Sequence, residues 1–437
     1  MKKRKFVTRR CTIKIQILFA TIFIFSIIHF QYMSTIDHEN LEKLYTIPDN
    51  LMMKHSSKGD KRNKMIQTNN RKFDSGTTLQ NPEGIDCQPR RGVVFLKTHK
   101  TGSTTMTNIF LRFAEKHKLA VGLPPLKKWE LGGYPGFFNK KLVDPQLKQY
   151  EMLCHHFRMD TEVVSQIVPA DTLYITILRD PANAFESGFS FFRDGPFSTW
   201  MPNYENEDAL EQFIESPKHF YNKSTPWYFR AKNYQSFDLG FDNDREDEDY
   251  IKYVRYKMDD LFNLVLITEK FEESLILLKD SLCMESLEDI LHIRLKVRQN
   301  SMRRKSNDKL KRQMREWNKI DTMIYDYFLN RLNEKIQGYG IQRMTNEVEQ
   351  LKKMLQEIEE KCVLEYDHDD LRSWISRIRI KKDSGEFCDK LSWGEVRFGD
   401  FIRTNQRKYL NIVVEEQIPA DNMRRMLEEE QNKILNV

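Results

Sequence analysis

The sequence contains little cysteine and no clustered metal ligands. Six cysteines are spread over 437 residues, and no Cys-x2-Cys or His-x3-His spacing occurs, so the sequence predicts no metal site. Cys11 stands beside an N-terminal apolar run. The rest of the chain holds five more, namely Cys87, Cys154, Cys283, Cys362 and Cys388. Because five is odd, at least one of these thiols stays unpaired or pairs with a second chain, which leaves a homodimer open.

The chain also lacks an excess of positive charge outside its N-terminal region. Its net charge is +6, but the residues up to Lys72 include fifteen basic and five acidic side chains, which leaves 55 basic and 59 acidic residues for the remainder. A slightly acidic body argues against a nucleic-acid partner, because phosphate binding needs a basic surface.

Only one long apolar run is present, and it lies near the N-terminus. It covers residues 13–33 and follows residues 1–12, which are basic and contain no acid. Its uninterrupted part, Ile17 to Ile28, is shorter than the roughly 20 residues of a membrane span, but the polar residues beside it can reach the interface. No small-x-small site follows, which favours an uncleaved signal anchor over a cleaved signal peptide. The pattern predicts a single-pass type II membrane protein with a cytosolic N-terminus.

Three further segments follow from the distribution of polar and apolar residues. Residues 34–90 are polar and aperiodic, which predicts a flexible luminal stem, with a basic recognition tail as the alternative. Residues 91–343 hold strand and helix patterns and predict the main domain. Residues 344–437 predict a helical C-terminal extension, because one apolar helical stripe lies at its start. Asn222 begins the single N-glycosylation sequon, Asn-Lys-Ser.

A strand, a loop and a helix are predicted between Gly92 and Arg112. Val93 to Leu96 is a short apolar run typical of a buried strand, and apolar residues recur at helical spacing after Gly102. Ser103 or Thr104 can cap this helix through a hydroxyl. The unit therefore presents a helix N-terminus, where an anion can bind.

Three side chains with cationic or donor groups surround that helix N-terminus. They are Lys97, His99 and Lys100, and they indicate phosphate chemistry. An ordinary turn with solvated lysines is the alternative. The ATPase spacing Gly-x4-Gly-Lys-Ser/Thr is missing because the lysine precedes the single glycine. That absence, and the lack of a clear magnesium-binding aspartate after a strand, count against a nucleotide-dependent kinase.

The string from Phe95 to Thr105 reads Phe-Leu-Lys-Thr-His-Lys-Thr-Gly-Ser-Thr-Thr. It resembles the donor loop of sulfotransferases and, over its whole length, that of the Golgi galactose 3-O-sulfotransferases. The resemblance implies a P-loop-like site for the 5′-phosphosulfate of 3′-phosphoadenosine-5′-phosphosulfate, with no metal required. The residues implied are Lys97, Lys100, Thr101, Gly102, Ser103, Thr104 and Thr105. Lys97 or His99 would also stabilise the sulfuryl oxygens, with Lys100 on the phosphosulfate.

A second anion site follows the clearest strand, Thr172 to Leu178. Arg179-Asp-Pro ends this strand, and Ser187 lies eight residues later on a predicted helix. The segment resembles the 3′-phosphate site of sulfotransferases, which implies that Arg179 and Ser187 hold that phosphate. A guanidinium fork suits phosphate oxygens. An ion pair between Arg179 and Asp180 is the alternative.

The strand predicted from Tyr150 to Arg158 carries two histidines near its far end. Adjacent side chains of a strand point to opposite faces, so only one of His155 and His156 can face a cleft beyond the sheet. The family pattern Cys-x-His-x-Arg keeps its histidine at position 156. We therefore predict His156 as the general base and His155 as its neighbour at the acceptor. His99, inside the donor loop, is the alternative base.

The acceptor region is predicted between Gly195 and Asn243, which is rich in aromatic residues such as Trp200. Aromatic faces often hold sugars, although such loops also pack as core. The block around Arg230 and Asn233 resembles the family's Arg-Asn…Phe-Asp-Leu-Gly pattern, which adds both residues to the predicted acceptor contacts.

The sequence thus predicts an α/β fold with a parallel sheet flanked by helices. The resemblance implies transfer of a sulfuryl group to the 3-hydroxyl of terminal β-galactose on galactosylceramide or on related glycolipid and glycoprotein glycans. It also implies a Golgi membrane location with a luminal catalytic domain. The alternatives are a catalytically silent glycan-binding membrane protein and the kinase.

Overall fold

The computed structural model describes residues 87–193, 195–295, 304, 306–368 and 376–411. All of them belong to one compact unit, Asp74–Val413. The predicted cytosolic tail, the signal anchor and most of the stem lie outside the described residues. Within the described ranges, no helix combines the length and the apolar character that a membrane crossing requires.

A five-stranded parallel sheet forms the centre of the described chain, as predicted. Its strands are β1 (Val93–Leu96), β2 (Val121–Gly122), β3 (Met152–Leu153), β4 (Leu173–Leu178) and β5 (Leu264–Ile267). Their spatial order is β2-β3-β1-β4-β5, and every pairing is parallel. After β1, the chain first forms β2 and β3 on one side of this strand and then β4 and β5 on its other side. This switch point lies at the carboxyl end of β1, where open parallel sheets bind ligands.

Helices flank the sheet and are numbered in chain order. They are α1 (Ser103–Lys116), α2 (Thr161–Ser165), α3 (Pro181–Phe191), α4 (Pro196–Trp200), α5 (Ala209–Glu215), α6 (Pro217–Phe220), α7 (Tyr234–Asp238), α8 (Glu248–Leu261), α9 (Phe271–Ser281), α10 (Asp308–Trp317), α11 (Lys319–Tyr339), α12 (Ile341–Cys362), α13 (Glu386–Ser392) and α14 (Glu395–Tyr409). Short 3₁₀ turns occur at Lys140–Leu142, Tyr228–Ala231, Thr268–Lys270 and Leu287–Ile290.

Two buried clusters account for most of the apolar packing near the sheet. All four residues of β1 are buried, as expected for a parallel strand covered on both faces. A separate cluster is built from rings of α3, α4 and α5 together with Met314 of α10. Its rings include Phe185, Phe189, Phe197 and Phe213.

The edge strand β2 is only two residues long. Lys118 adopts a φ of 52°, a left-handed conformation that cannot continue a strand. Extended structure therefore begins only at Val121, in β2.

The structure corrects the prediction of a helical C-terminal extension, because this part of the chain also contains strands. After α12 the chain forms an antiparallel hairpin of β6 (Val363–His368) and β7 (Ser376–Ile380), followed by α13 and α14. The boundary predicted between residues 343 and 344 falls inside α12. Met344 and Leu351 of that helix belong to the main core, so α12 packs as part of the main domain.

Two disulfides cross-link the described chain. Cys87 pairs with Cys283, and Cys362 pairs with Cys388. The thiol of Cys154 is free and buried, which confirms the expected odd cysteine. Burial raises the pKa of this thiol, so it stays protonated and unreactive.

Candidate active site

The loop between β1 and α1 is held by its own hydroxyl groups. Thr98 donates its hydroxyl to the carbonyl of Ile177 in β4 (2.5 Å). Thr101 (3.1 Å) and Ser103 (2.6 Å) donate theirs to the Thr98 carbonyl, and Thr105 accepts from a backbone amide at 3.3 Å. Because these hydroxyls already bind protein groups, a bound anion would meet mainly the backbone N–H groups of the loop.

The N-terminus of α1 has no side-chain cap. Gly102 precedes the helix with a φ of 75°, which glycine adopts without strain. The hydroxyl cap predicted from Ser103 or Thr104 is therefore wrong. Gly102 is exposed and Thr104 is half-buried. The first turn, with its partial positive charge, stays open to an external anion.

Lys97 differs from its predicted role, because its side chain is fully buried. Its ammonium forms an ion pair with the carboxylate of Glu395 in α14, and Glu395 is itself only 5% exposed. The predicted direct contact between the Lys97 ammonium and a phosphosulfate is therefore revised. The carbonyl of the same residue accepts a hydrogen bond from Nδ1 of His156.

The two predicted anion sites lie side by side. The guanidinium of Arg179 donates to the carbonyl of Lys100 at 2.9 Å. The ammonium of Lys100 lies 3.5 Å from the ring centre of Phe191 in α3, and its aliphatic stem is close to Gly188 in the same helix. Ser187, the neighbour of Gly188, is buried on α3. The structure thus brings Lys100, Arg179 and the Ser187 segment together.

The ion pair between Arg179 and Asp180, which was the alternative explanation for this segment, does not form. Asp180 binds Arg315 of α10 instead, and its carboxylate accepts from the Asn183 amide at 3.1 Å. Asp180 therefore caps α3, with Pro181 in the first helical position. This cap explains why the chain turns from β4 into a helix directly after Arg179.

A buried network centred on Asp238 lies beside the donor loop. The Asp238 carboxylate accepts from the backbone N–H of His99 (2.7 Å) and lies 2.9 Å from His99 Nδ1. Tyr134 also donates to it, at 2.9 Å. The ring of His99 stacks on Tyr234 and on His156, with centroid distances of 4.6 and 3.8 Å.

These contacts determine the tautomer of His99. A carboxylate only accepts, so Nδ1 of His99 carries hydrogen and Nε2 of the neutral ring is the basic atom. Burial lowers the pKa of His99; the charge of Asp238 opposes this shift, and those of Arg230 and Lys97 add to it. A neutral histidine oriented by a buried carboxylate is an arrangement suited to proton transfer.

His155 and His156 point to opposite sides, as predicted, but the strand is shorter than expected. β3 ends at Leu153, and His156 takes part only in an isolated bridge with Glu130. Nδ1 of His156 lies 3.0 Å from the Lys97 carbonyl, so Nδ1 carries hydrogen and Nε2 is again the basic atom. The ring of His155 instead packs against Gly399 of α14. Burial lowers the pKa of His155 to about 4. Enclosed between the sheet and α14, His155 cannot contact an acceptor, so this predicted contact is revised.

Arg230 and Asn233, two of the predicted acceptor residues, lie in different environments. The guanidinium of Arg230 stacks on Phe192 (4.3 Å) and Trp227 (4.1 Å) and lies close enough to affect His99. Asn233 is fully buried: its carbonyl oxygen accepts from two amides at the start of α11, and its amide nitrogen donates to the Asn243 carbonyl. Asn233 therefore joins two segments and is not exposed to a sugar.

Trp200 belongs to the aromatic cluster of α3, α4 and α5. Its indole N–H donates to the Thr225 hydroxyl (2.6 Å), and its ring is parallel to that of Phe213. Much of the aromatic segment thus packs as core, the alternative considered for it. The acceptor contact of Trp200 stays a prediction. Asn222 is exposed in a turn, where its sequon is accessible.

Comparison with known protein families shows to which family the chain belongs. The galactose-3-O-sulfotransferase family model matches residues 2–382. The chain belongs to the galactose-3-O-sulfotransferase family. It is 35% identical to galactosylceramide sulfotransferase of Homo sapiens over 281 residues, which cover 64% of this chain and 65% of that protein. It is 32% identical to galactose-3-O-sulfotransferase 3 of Mus musculus over 361 residues, 74% and 82% of the two chains.

Some residues of this galactose-3-O-sulfotransferase family site had no predicted role. Tyr134 lies in a loop and Tyr234 begins the short helix α7, and both rings contact His99. Neither segment has a periodic pattern, so no local signal marks these tyrosines. Asp238 stands in a block that resembles the family, but its partner His99 lies 139 residues away in sequence. Glu395 lies beyond the matched residues. Within the described ranges, no group of His, Cys, Asp or Glu forms a metal site.

Proposed function

We propose that this chain transfers a sulfuryl group from 3′-phosphoadenosine-5′-phosphosulfate to the 3-hydroxyl of a terminal β-galactose. The observation that carries this proposal is the position of two stacked histidines beside an uncapped helix N-terminus, at the carboxyl end of β1. Family membership supports the same reaction. Because the match covers just under two thirds of the Homo sapiens galactosylceramide sulfotransferase, the acceptor is inferred by analogy.

The donor would bind across the carboxyl ends of β1 and β4. Lys100 and the N–H groups of Gly102 to Thr105 would hold the 5′-phosphosulfate, and Arg179 with Ser187 would hold the 3′-phosphate. The contact between Arg179 and the Lys100 carbonyl supports this assignment, because it keeps both groups within the span of one nucleotide. The donor supplies the activated sulfuryl group. The protein supplies positioning and positive charge.

The acceptor hydroxyl must lose its proton as it attacks sulfur, and we propose His156 as the base. Its basic Nε2 follows from the Nδ1 contact with the Lys97 carbonyl. His99, oriented by Asp238, would then donate to or orient the sulfuryl oxygens. The Asp238 contact also makes His99 the competing candidate for the base.

Transfer of radiolabelled sulfate tests the proposed activity. The purified luminal domain, labelled donor and a galactose-terminated acceptor should yield labelled glycan. Labelled glycan would exclude the silent glycan-binding protein, and the same assay with labelled ATP would detect a kinase. Donor binding without any transfer would contradict the proposal.

We further propose galactosylceramide as the first acceptor to test, since the matched relatives include proteins of that name from three mammals. Galactose-terminated glycoproteins are the second, because other relatives are named galactose-3-O-sulfotransferase 2 and 3, names that specify galactose but no ceramide. Offering both acceptors to one preparation and comparing kcat/KM decides between them.

A further inference from the structure

The segment from Glu386 to Tyr409 is built into the catalytic body. Gln406 of α14 bonds both backbone groups of Val121 in the edge strand β2, at 2.9 and 3.1 Å. Asn108 of α1 donates to the carbonyls of Lys390 (2.8 Å) and Trp393 (3.0 Å). The Cys362–Cys388 disulfide attaches α13 to α12. The segment therefore has a fixed position against α1 and the sheet.

This segment places one carboxylate directly behind the donor loop. Glu395 stands in the first turn of α14, where the helix dipole favours a negative charge, and it binds the ammonium of Lys97. Both side chains are buried. Removing one partner of such a pair leaves an uncompensated charge in the interior, which strongly disfavours the folded geometry.

Lys97 connects this ion pair to the reacting groups. It follows β1 directly and begins the donor loop, and its carbonyl fixes the Nδ1 hydrogen of His156. The ring of His155 contacts α14 at Gly399. A shift of α14 or of the Lys97 side chain would therefore reach both the loop and the histidine proposed as base.

We propose that Glu395 is a positioning residue for sulfuryl transfer, acting through Lys97 on the donor loop and on His156. This inference rests on the proposed function. Glu395 lies outside residues 2–382, the range matched by the family model, so a catalytic domain bounded by that match would lack it.

The test compares four forms of the whole luminal chain. Glu395→Gln removes the charge but keeps the shape, and Glu395→Asp keeps the charge. Glu386→Gln is the matched control, because Glu386 is exposed and its partner Lys390, in the same segment, keeps a second carboxylate from Glu115. Lys97→Met combined with Glu395→Met removes both charges at similar volume, a replacement that buried pairs often tolerate.

Glu395→Gln should lower kcat at least about tenfold with little change in acceptor KM, because the lost interaction positions reacting groups. Glu395→Asp should recover part of that loss, and Glu386→Gln should behave as wild type. The double variant should melt near the wild-type temperature yet stay impaired in kcat. A double variant with normal turnover would show a purely structural pair and overturn the inference, as would normal turnover in Glu395→Gln.

Hydrogen exchange of residues 97–102 gives a readout that does not need activity. Exchange should accelerate in Glu395→Gln and stay unchanged in Glu386→Gln. If the wild type transfers no sulfate, the proposed function fails, and the exchange comparison still decides whether Glu395 positions the loop. Equal exchange in all variants would overturn that role.

Discussion

His99 and His156 stack face to face, and this geometry limits how many protons they can hold. Two positive charges about 4 Å apart repel by about 4 kcal/mol at an effective dielectric constant of 20. The ring centroids are 3.8 Å apart. One histidine therefore stays neutral while the other is protonated, which suits a pair in which only one ring takes the acceptor proton.

Replacing His156 by Ala should reduce turnover by roughly 10² to 10⁴ while donor binding stays intact, because a general base contributes about that much. His155→Ala should lose much less, since His155 faces α14. Steady-state kinetics and calorimetric binding of 3′-phosphoadenosine-5′-phosphate provide the two measurements. Near-normal turnover in His156→Ala, or equal losses in both variants, would make His99 with Asp238 the base.

Acid should destabilise the protein through His155. Burial lowers its pKa to about 4 from an ordinary value of 6.5. The unfolded chain therefore takes up a proton first as pH falls, so folding stability decreases between pH 6.5 and about 4. The shift corresponds to on the order of 3 kcal/mol. His155→Asn should lower this pH dependence, measured as melting temperature against pH.

A control variant separates this effect from other titrations. Burial raises the pKa of Asp321 to about 6, which acts in the opposite direction over part of the same range, but Asp321 is present in every variant. His219→Asn, at an exposed position, should keep the wild-type pH dependence. An equal slope in the wild type and His155→Asn would contradict the assignment.

Two glycines at helix positions should respond to alanine with opposite signs. Gly102 precedes α1 with a φ of 75°, so alanine there adds backbone strain of about 1 to 2 kcal/mol. Gly338 lies inside α11 with no atom within 4 Å of an added Cβ, so alanine should stabilise the helix by up to about 1 kcal/mol. Chemical denaturation measures both changes. Stabilisation by Gly102→Ala would show that the strain at Gly102 is absent, and destabilisation by Gly338→Ala would contradict the expected gain in α11.

The strand-end Arg179 should control donor affinity. A hydrogen bond to a charged group is worth roughly 1.5 to 3 kcal/mol, so Arg179→Ala or Lys100→Ala should weaken binding of 3′-phosphoadenosine-5′-phosphate at least about tenfold. Arg331→Ala, which removes exposed pairs with Asp259 and Glu334, is the control. Unchanged calorimetric affinity in Arg179→Ala would remove the site assignment.

Elements whose signals are local could be predicted from the sequence. The strand before Lys97, the helix after Gly102 and the strand before Arg179 follow from apolar runs and periodicity, and the structure confirms them. The opposite directions of His155 and His156 agree with the prediction, although both residues lie beyond the end of β3. The family resemblance supplied the donor residues, whose roles stay predictions.

The remaining features depend on contacts between distant parts of the chain. Asp238 reaches His99 across 139 residues, and Glu395 reaches Lys97 across 298. No periodicity or spacing encodes such a pair. Asn233 resembled a family motif, but burial, which the motif does not reveal, makes it a structural residue.

The whole chain should be oriented with its N-terminus in the cytosol, since the basic flank of residues 13–33 stays on that side. Asn222 should then be luminal and glycosylated. In sealed microsomes the body should resist protease, and Asn222→Gln should remove a glycosidase-sensitive mass. Digestion of the body without detergent would overturn the predicted type II orientation and, with it, the Golgi location that the family resemblance implies.

The position of α14 also has a consequence for the order of synthesis. Ribosomes add residues from the N-terminus, so Glu395 and Gln406 emerge after every proposed donor-binding residue. Until then, Lys97 lacks the carboxylate of Glu395 and the edge of β2 lacks the side chain of Gln406. A nascent or prematurely terminated chain that ends at the family boundary would carry the complete donor loop without its supporting helix. Assembly of the site is thus coupled to synthesis of the chain through α14.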